Sequence, residues 1–232
     1  MLRETLTALR ALGLLRLMLA CALNVAANIA PGYLTQSFDV LWLAAAAITG
    51  YFISHAVPTG QPLFSTEISL RRIGRYALAN LWVYGLTVLA LLPGLVAAVS
   101  LLATGMVTLI ETLVPLVFGV VLPVAGILAL FGTALPAAIM GAPYGPRAAL
   151  TDTRGQRWPL FKALLLGQGL ITTLSLVLLT IALGGMIGHL PALLVGALEG
   201  LLFALSVIFT ATLLAVAWRR RHPPAPLAEV FA

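Results

Sequence analysis

A carboxylate inside an apolar segment near the end of the chain is the first candidate for chemistry. Glu199 stands between Gly196 and Gly200, roughly 12 Å along that segment at the standard helical rise. A charged group at such depth is costly and marks a functional site by default. A partly protonated buried carboxyl is also what a proton-coupled carrier requires. Packing is the favoured alternative, in which a neutral Glu199 hydrogen-bonds to Ser175 or Thr180 beside glycines that let helices approach closely.

Amide side chains in other apolar segments extend this candidate polar site within the membrane. Asn24 and Asn28 are four residues apart, so they share one helix face and can hydrogen-bond a neighbouring helix. Gln168 lies in the fifth apolar segment. As ligands, these side chains and Glu199 would need partners that the sequence does not identify.

Enzymatic chemistry finds little support in the sequence. The chain has no Gly-x-Ser-x-Gly elbow, no His-Glu-x-x-His pair and no phosphate-binding glycine loop. His55, His189 and His222 lie on different segments, and the single Cys21 excludes an intrachain disulfide. His55 is interpreted as an ordinary helix-end residue. We therefore expect no enzyme activity, no metal and no cofactor.

Composition determines the kind of fold that positions these groups. The 232-residue chain is 61% hydrophobic and 9% charged, with a mean hydropathy of +1.08, whereas soluble domains carry about 25% charged residues. Backbone groups in lipid must pair within the protein, and the apolar runs have the length of about 20 residues that a spanning helix needs. The sequence therefore predicts an all-α, polytopic membrane bundle.

The apolar runs and their breaks predict one transmembrane domain, residues 1–218, with six spans and an uncleaved first helix. Surface helices are expected just before the third span, at 106–113 before a kinked fourth span, and from Pro146 to Arg154, where Gly155 supplies the stop. Residues 219–232 are expected to form a basic, disordered tail. The predicted spans are 11–30, 40–57, 76–102, 116–140, 160–186 and 192–217.

Positive charge predicts the orientation of this bundle. All 13 lysines and arginines fall on one side of the six-span arrangement, in or beside the N-terminus, the second and fourth connections and the C-terminus. Because Lys and Arg resist translocation, that side is predicted to be the cytoplasmic side of a bacterial inner membrane. Both termini are therefore predicted to lie in the cytoplasm.

The expected partners of these residues are anionic lipid headgroups of the inner leaflet rather than nucleic acid, because the charges lie between apolar runs. A membrane-protein partner or a second copy of the chain is the other expectation. The candidate residues for headgroup or partner binding are Arg71, Arg72, Arg75, Arg147, Arg154, Arg157, Trp158 and Lys162.

The third of these basic clusters also resembles a known family. The runs that carry the likeness are Gly145-Pro146-Arg147-Ala148-Ala149-Leu150, Thr153-Arg154-Gly155 and Arg157-Trp158-Pro159-Leu160-Phe161. They resemble the cytoplasmic loop of a group of bacterial six-span inner-membrane proteins related to the membrane domain of glycerophosphoryl diester phosphodiesterases. The resemblance implies a six-span bundle and brings no catalytic residues, since the hydrolase domain of those enzymes is a separate soluble unit.

A short internal repeat links two of the basic clusters. Arg154 to Leu160 and Arg72 to Leu78 both read Arg-x-x-Arg-aromatic-x-Leu. A parallel duplication would produce this likeness. The shared needs of helices that enter a membrane from one side would produce it too, and they are the favoured explanation.

These features favour a non-enzymatic membrane protein that organises lipid or protein partners through its basic loops. The alternative is a small proton-coupled carrier, or a subunit of one, centred on Glu199. The sequence does not identify a substrate, a partner or an oligomeric state.

The orientation is testable with single cysteines. A cysteine at Gln36 should react with an impermeant thiol reagent added to intact cells, whereas one at Thr153 should react only after the membrane is opened. The reverse pattern would contradict the predicted topology.

Overall fold

Helices make up the secondary structure in a computed structural model that describes residues 1–29, 40–65, 69–103, 113–183 and 192–223. No strand occurs within these ranges. The helices are α1 Leu2–Leu12, α2 Leu14–Ile29, α3 Val40–Thr59, α4 Leu70–Ala103, α5 Leu113–Phe131, α6 Ala134–Ile139, α7 Pro146–Asp152, α8 Arg157–Leu164, a π-helical segment Leu165–Gly169, α9 Leu170–Leu183 and α10 Ala192–Arg221.

The described helices have the lengths and composition of membrane spans. Five helical stretches are long and apolar enough to cross a membrane, or six if the bent pair of α1 and α2 counts as one span. The predicted all-helical, multi-pass membrane architecture is therefore confirmed at this level. The predicted surface helix at 106–113 and the connection between the fifth and sixth predicted spans lie almost wholly outside the described residues, as does most of the tail.

The first predicted span, 11–30, differs from the structure at its start. α1 and α2 meet at an angle of 92°, and Gly13 between them has φ +87°, a conformation that glycine adopts without steric cost. α1 buries Thr5 and Leu12 against the bundle and leaves Arg3 and Arg10 exposed. It is therefore an amphipathic helix folded across one end of the bundle, and the apolar span begins only at α2.

The start of the third span also differs from the prediction. The segment that carries Arg71, Arg72 and Arg75 does not lie along the surface and then turn inward, because α4 is one continuous helix. Its 34 residues extend over roughly 51 Å at the standard rise, well beyond a hydrocarbon core of about 30 Å. The arginines thus leave the hydrocarbon on the same helix that crosses it.

The fourth and fifth spans follow the predicted order with different breaks. α5 and α6 together correspond to the kinked fourth span, but the chain is interrupted at Gly132 and Thr133 and not at Pro123, which stays inside α5. The fifth span starts at Arg157 and contains the π-helical segment. In the fourth predicted connection, α7 begins at Pro146 as expected and Gly155 has φ +84°.

The predicted cysteine reporter at Thr153 needs a different position. Thr153 is fully buried, and its hydroxyl donates to the carbonyl oxygens of Ala149 at 3.0 Å and Leu130 at 3.2 Å. A cysteine there would be shielded on either side of the membrane. Arg154, which is exposed, is the proper inside reporter, whereas Gln36 lies outside the described residues.

The long helix α10 lies at the centre of the described bundle. One core cluster joins it to α1, α2 and α3 and includes Leu12, Ile53 and Ala215. A second cluster joins it to α5 and α8 and includes Leu160 and Leu214. Because α10 supplies residues to both clusters, it connects two groups of helices that otherwise lie far apart in sequence.

Two glycines set the closest approach between α4 and α5. A Cβ atom built on Gly94 would lie 2.7 Å from the Cα atom of Gly119, which is closer than real atoms pack. In lipid, helix association depends on such close backbone contact between small residues. The Gly94–Gly119 contact therefore determines how α4 sits against the bundle.

Gly94→Ala should destabilise the protein by about 1–3 kcal/mol, because the added methyl group must push α4 and α5 apart. Gly85→Ala on the same helix is the matched control, since a Cβ atom there meets nothing within 4 Å and alanine favours the helix. Reversible unfolding in mixed micelles measures both variants. Equal stabilities would contradict the assigned contact.

Candidate functional site

Several segments that are distant in sequence meet at one end of the bundle. The guanidinium of Arg220 donates to a Glu4 carboxylate oxygen at 2.7 Å, and this hydrogen bond lowers the pKa of Glu4. Gln156 donates to the carbonyl of Ala217 at 2.9 Å. We call this region, formed by α1, α7 and the adjoining ends of α3, α4, α6, α8 and α10, the basic end.

Three arginines at the basic end are held by backbone carbonyls. They tie connections and helix ends together, so their substitution would disturb the fold as well as any binding. Arg75 donates to Ala142, Arg157 donates to Leu150 at 2.7 Å, and Arg219 donates to Val57 at 3.3 Å. Arg75 also lies over the Tyr144 ring, 5.0 Å from its centre.

Other predicted binding residues at the basic end face outward. Arg71, Arg147 and Arg154 are exposed, and their side chains form no hydrogen bond or ion pair with another described residue. Trp158 is 63% exposed, and the Lys162 ammonium lies 5.1 Å from the centre of its ring. This combination of free cations and an exposed indole suits a lipid headgroup layer.

A polar cavity of about 520 Å³ lies at the basic end, between the end of α3, the connection after it, the start of α4 and the end of α6. The His55 ring, only 6% exposed, forms part of its wall, and its Nε2 atom lies 3.5 Å from Nη1 of Arg72. The described lining residues are His55, Thr59, Gln61, Ser65, Arg72, Ile139 and Met140.

The cavity was not evident from the sequence. The sequence position of His55 predicts an ordinary helix-end residue, whereas the structure places it beside Arg72, one of the predicted headgroup-binding arginines. A signal was present in its spacing to Thr59, one turn later on the same helix, and in the arginines of the next helix. The sequence alone does not show that α4 returns against the end of α3.

The connection that borders the cavity has defined local structure. The Thr59 hydroxyl donates to the carbonyl of His55 at 2.8 Å, and the Ser65 hydroxyl donates to that of Pro62 at 2.6 Å. Phe64 has φ +66°, unusual for a bulky residue, and its ring packs on Phe52 with centres 4.9 Å apart. These contacts hold the cavity wall in one arrangement.

The two asparagines predicted inside the membrane join helices. Asn24 is fully buried, and its amide nitrogen donates to the Thr49 hydroxyl and to the Ala20 carbonyl, each at 2.8 Å. The Asn28 amide donates to the Gly196 carbonyl at 2.9 Å. The prediction that these residues bond neighbouring helices is confirmed, and they do not converge on one ligand.

Glu199 lies one turn from that contact and is half-exposed. Its carboxylate forms no hydrogen bond or ion pair with another described residue, so the expected bond to Ser175 is absent, and the Thr180 side chain lies outside the described part. Its neighbour Gly200 packs on α2, where an added Cβ atom would lie 3.0 Å from the Cα atom of Val25. The predicted glycine packing therefore involves α2.

Gln168 occupies the π-helical segment of the fifth span. Its side-chain oxygen is buried and has no hydrogen-bond partner among the described residues. A cavity of about 10 Å³ beside it, also lined by Val121 and Thr172, has room for roughly one water molecule. Within the described chain no hydrogen bond joins Gln168 to Glu199 or to the asparagines, so the structure does not bring these predicted polar residues together into one site.

The described residues offer no metal centre, because no group of three His, Cys, Asp or Glu side chains among them could hold an ion.

The two segments of the internal repeat, Arg72 to Leu78 and Arg154 to Leu160, differ in their surroundings. Tyr76 is 6% exposed and Trp158 is 63% exposed, so the aromatic residue is buried in the first segment and faces outward in the second.

Comparisons with known proteins found no matching family model, no matching curated protein and no matching solved structure. The resemblance of residues 145–161 to a loop of six-span bacterial proteins therefore remains a prediction.

The asparagine contacts make a prediction about stability. Asn28→Ala should lower the free energy of unfolding by about 0.6 kcal/mol, and by no more than about 1.7 kcal/mol, because it removes one hydrogen bond between membrane helices. Asn80→Ala is the control, since the Asn80 side chain bonds Tyr76 of its own helix and joins no second helix among the described residues. The free energy of unfolding of both variants is measured in mixed micelles. A loss of stability in Asn80→Ala as large as that in Asn28→Ala would contradict the assigned contact between helices.

Proposed function

We propose that the protein is a non-enzymatic membrane protein that binds and organises anionic lipid at its basic end. The observation that carries this proposal is the meeting of four basic clusters at one end of a bundle whose other described surface is largely apolar. Arg71, Arg147 and Arg154 are exposed there without partners in the described chain, while Trp158 supplies the interfacial aromatic residue. An acidic membrane surface attracts such clusters with about 1 kcal/mol per charge.

The proposed location is the inner membrane of a bacterium, with six spans, both termini in the cytoplasm and the basic end on the cytoplasmic leaflet. Support for this orientation comes from the positive charges, which favour the cytoplasmic side. Further support comes from the contact of Glu4 with Arg220 at 2.7 Å, because residues near the two termini can touch only if they lie on the same side of the membrane. A membrane-protein partner or a second copy of the chain would meet the same exposed face.

The lipid proposal predicts a defined loss on charge removal. The combined change of Arg71, Arg147 and Arg154 to Gln should cut the enrichment of phosphatidylglycerol over phosphatidylcholine around the purified protein by about tenfold or more, since three interfacial charges are lost. Mass spectrometry of lipids that co-purify from mixed vesicles measures the ratio.

The control changes the same three residues to Lys, which keeps the charge and should keep the enrichment. Added salt should weaken the enrichment in the wild type, because it screens exposed charges. An unchanged lipid ratio in the Gln variant would refute the proposal.

The alternative function is a proton-coupled carrier centred on Glu199, and it is favoured by the lack of a partner for that carboxylate within the described chain. The lipid proposal predicts that Glu199→Gln leaves both lipid enrichment and unfolding unchanged. Proton uptake into vesicles that contain the protein, followed with an internal pH dye, separates the two. A potential-driven uptake that the variant loses would favour the carrier.

A further inference from the structure

We infer that Gln168 and Thr172 bind one water molecule inside the membrane, in the small cavity between α5 and the fifth span. The site goes beyond the proposed function, because its ligand is a solvent molecule held within the hydrocarbon and not a lipid at the basic end. Gln168 lies roughly 16 Å along the span from its first residue, Arg157, at the standard helical rise.

The first argument is that two polar side chains without partners line the same cavity. The buried oxygen of Gln168 has no hydrogen-bond partner among the described residues, and the Thr172 hydroxyl forms no hydrogen bond with any of them either. The two residues are four apart, so they share one helix face, and both border the cavity. Because an amide oxygen accepts and a hydroxyl donates and accepts, one water molecule can bond both.

The second argument comes from other threonines in the membrane helices. The hydroxyls of Thr87, Thr173 and Thr212 each donate to the carbonyl four residues earlier on the same helix. For Thr172 that carbonyl belongs to Gln168, which lies inside the π-helical segment, and the corresponding bond is absent between these two described residues. The Thr172 hydroxyl is therefore available to a molecule in the cavity.

The third argument is the irregular and closely packed backbone around Gln168. A Cβ atom built on Gly167 would overlap the ring of Phe209 on α10, and one built on Gly169 would lie 2.8 Å from Cγ1 of Val121 on α5. These contacts hold the π-helical segment between the two helices. Such segments occur frequently at functional sites, and water inserts where the hydrogen-bond ladder of a helix is disturbed.

Size and charge select water over other ligands. The cavity measures about 10 Å³, which is close to the least that one water molecule occupies. The rest of its described wall is formed by Val121, Val124, Ala125 and Gly169. No charged side chain in that wall balances an ion, and an unpaired ion at this depth would cost far more free energy than a neutral molecule.

Thr172→Val tests the site with a change that nearly conserves volume. It should raise the equilibrium constant for unfolding in mixed micelles by about fivefold, because the water loses one partner and the Gln168 oxygen loses its bond. Thr173→Val is the matched control and should change that constant by less than about twofold. The Thr173 hydroxyl bonds Gly169 of its own helix at 2.8 Å and does not line the cavity.

Water-edited solid-state NMR of the protein in bilayers detects the bound molecule independently of stability. Magnetisation that starts on water should reach the side-chain amide signal of Gln168, which is identified by its loss in Gln168→Leu. The transfer should persist in Thr173→Val. It should fall by about half or more in Thr172→Val, because a buried water molecule needs about two to four polar partners.

Two results would overturn the site. A wild type in which the Gln168 amide receives no magnetisation from water has a dry cavity. A transfer that Thr172→Val leaves unchanged would remove Thr172 from the site, whatever the stabilities, whereas a transfer lost in Thr172→Val alone supports it even if the two variants unfold alike. None of these results bears on anionic lipid at the basic end, so the proposed function stands or fails separately.

Discussion

Helix ends leave carbonyl oxygens without partners inside the helix, and at the basic end side chains from distant segments supply those partners. Arg219 at the end of α10 reaches the last turns of α3 at Val57. Gln156, just before α8, reaches α10 at Ala217. The hydrocarbon offers no donors, so a helix end that lies within it depends on partners from the protein. The relative placement of α3, α8 and α10 depends on these bonds, and the cavity at the end of α3 depends on that placement.

The arginines of this end thus divide into two groups that the sequence does not distinguish. Charge patterning treats all of them as topological signals and as candidates for lipid binding. The structure assigns Arg75 to the carbonyl of Ala142 and leaves Arg71, four residues earlier, exposed. Residues four apart lie on the same side of a helix, so the two arginines differ in their depth along α4, and only Arg75 lies level with the Ala142 carbonyl. Only the packing of α4 against α6 determines that register, and it involves residues more than 60 positions apart.

Local features of the fold could be predicted, and long-range ones could not. Hydropathy predicted the membrane helices, and Pro146 with Gly155 predicted the limits of the short helix α7, because caps and stops are encoded in neighbouring residues. The four-residue spacing of Asn24 and Asn28 predicted bonds to other helices. Gly13 was missed as a break, since a glycine within an apolar run also occurs in straight spans. The role of His55 was missed because it depends on Arg72, which belongs to another helix.

The central position of α10 has a consequence for how the protein is made. α10 follows every other described helix in sequence, yet it supplies Leu214 to one core cluster and Ala215 to the other. The helices that flank it enter the membrane during synthesis before their common neighbour exists. Until α10 joins them, these helices lack the residues that complete both core clusters. The described core therefore forms only once α10 has packed between these helices, and the contact of Arg220 with Glu4 then joins α10 to α1.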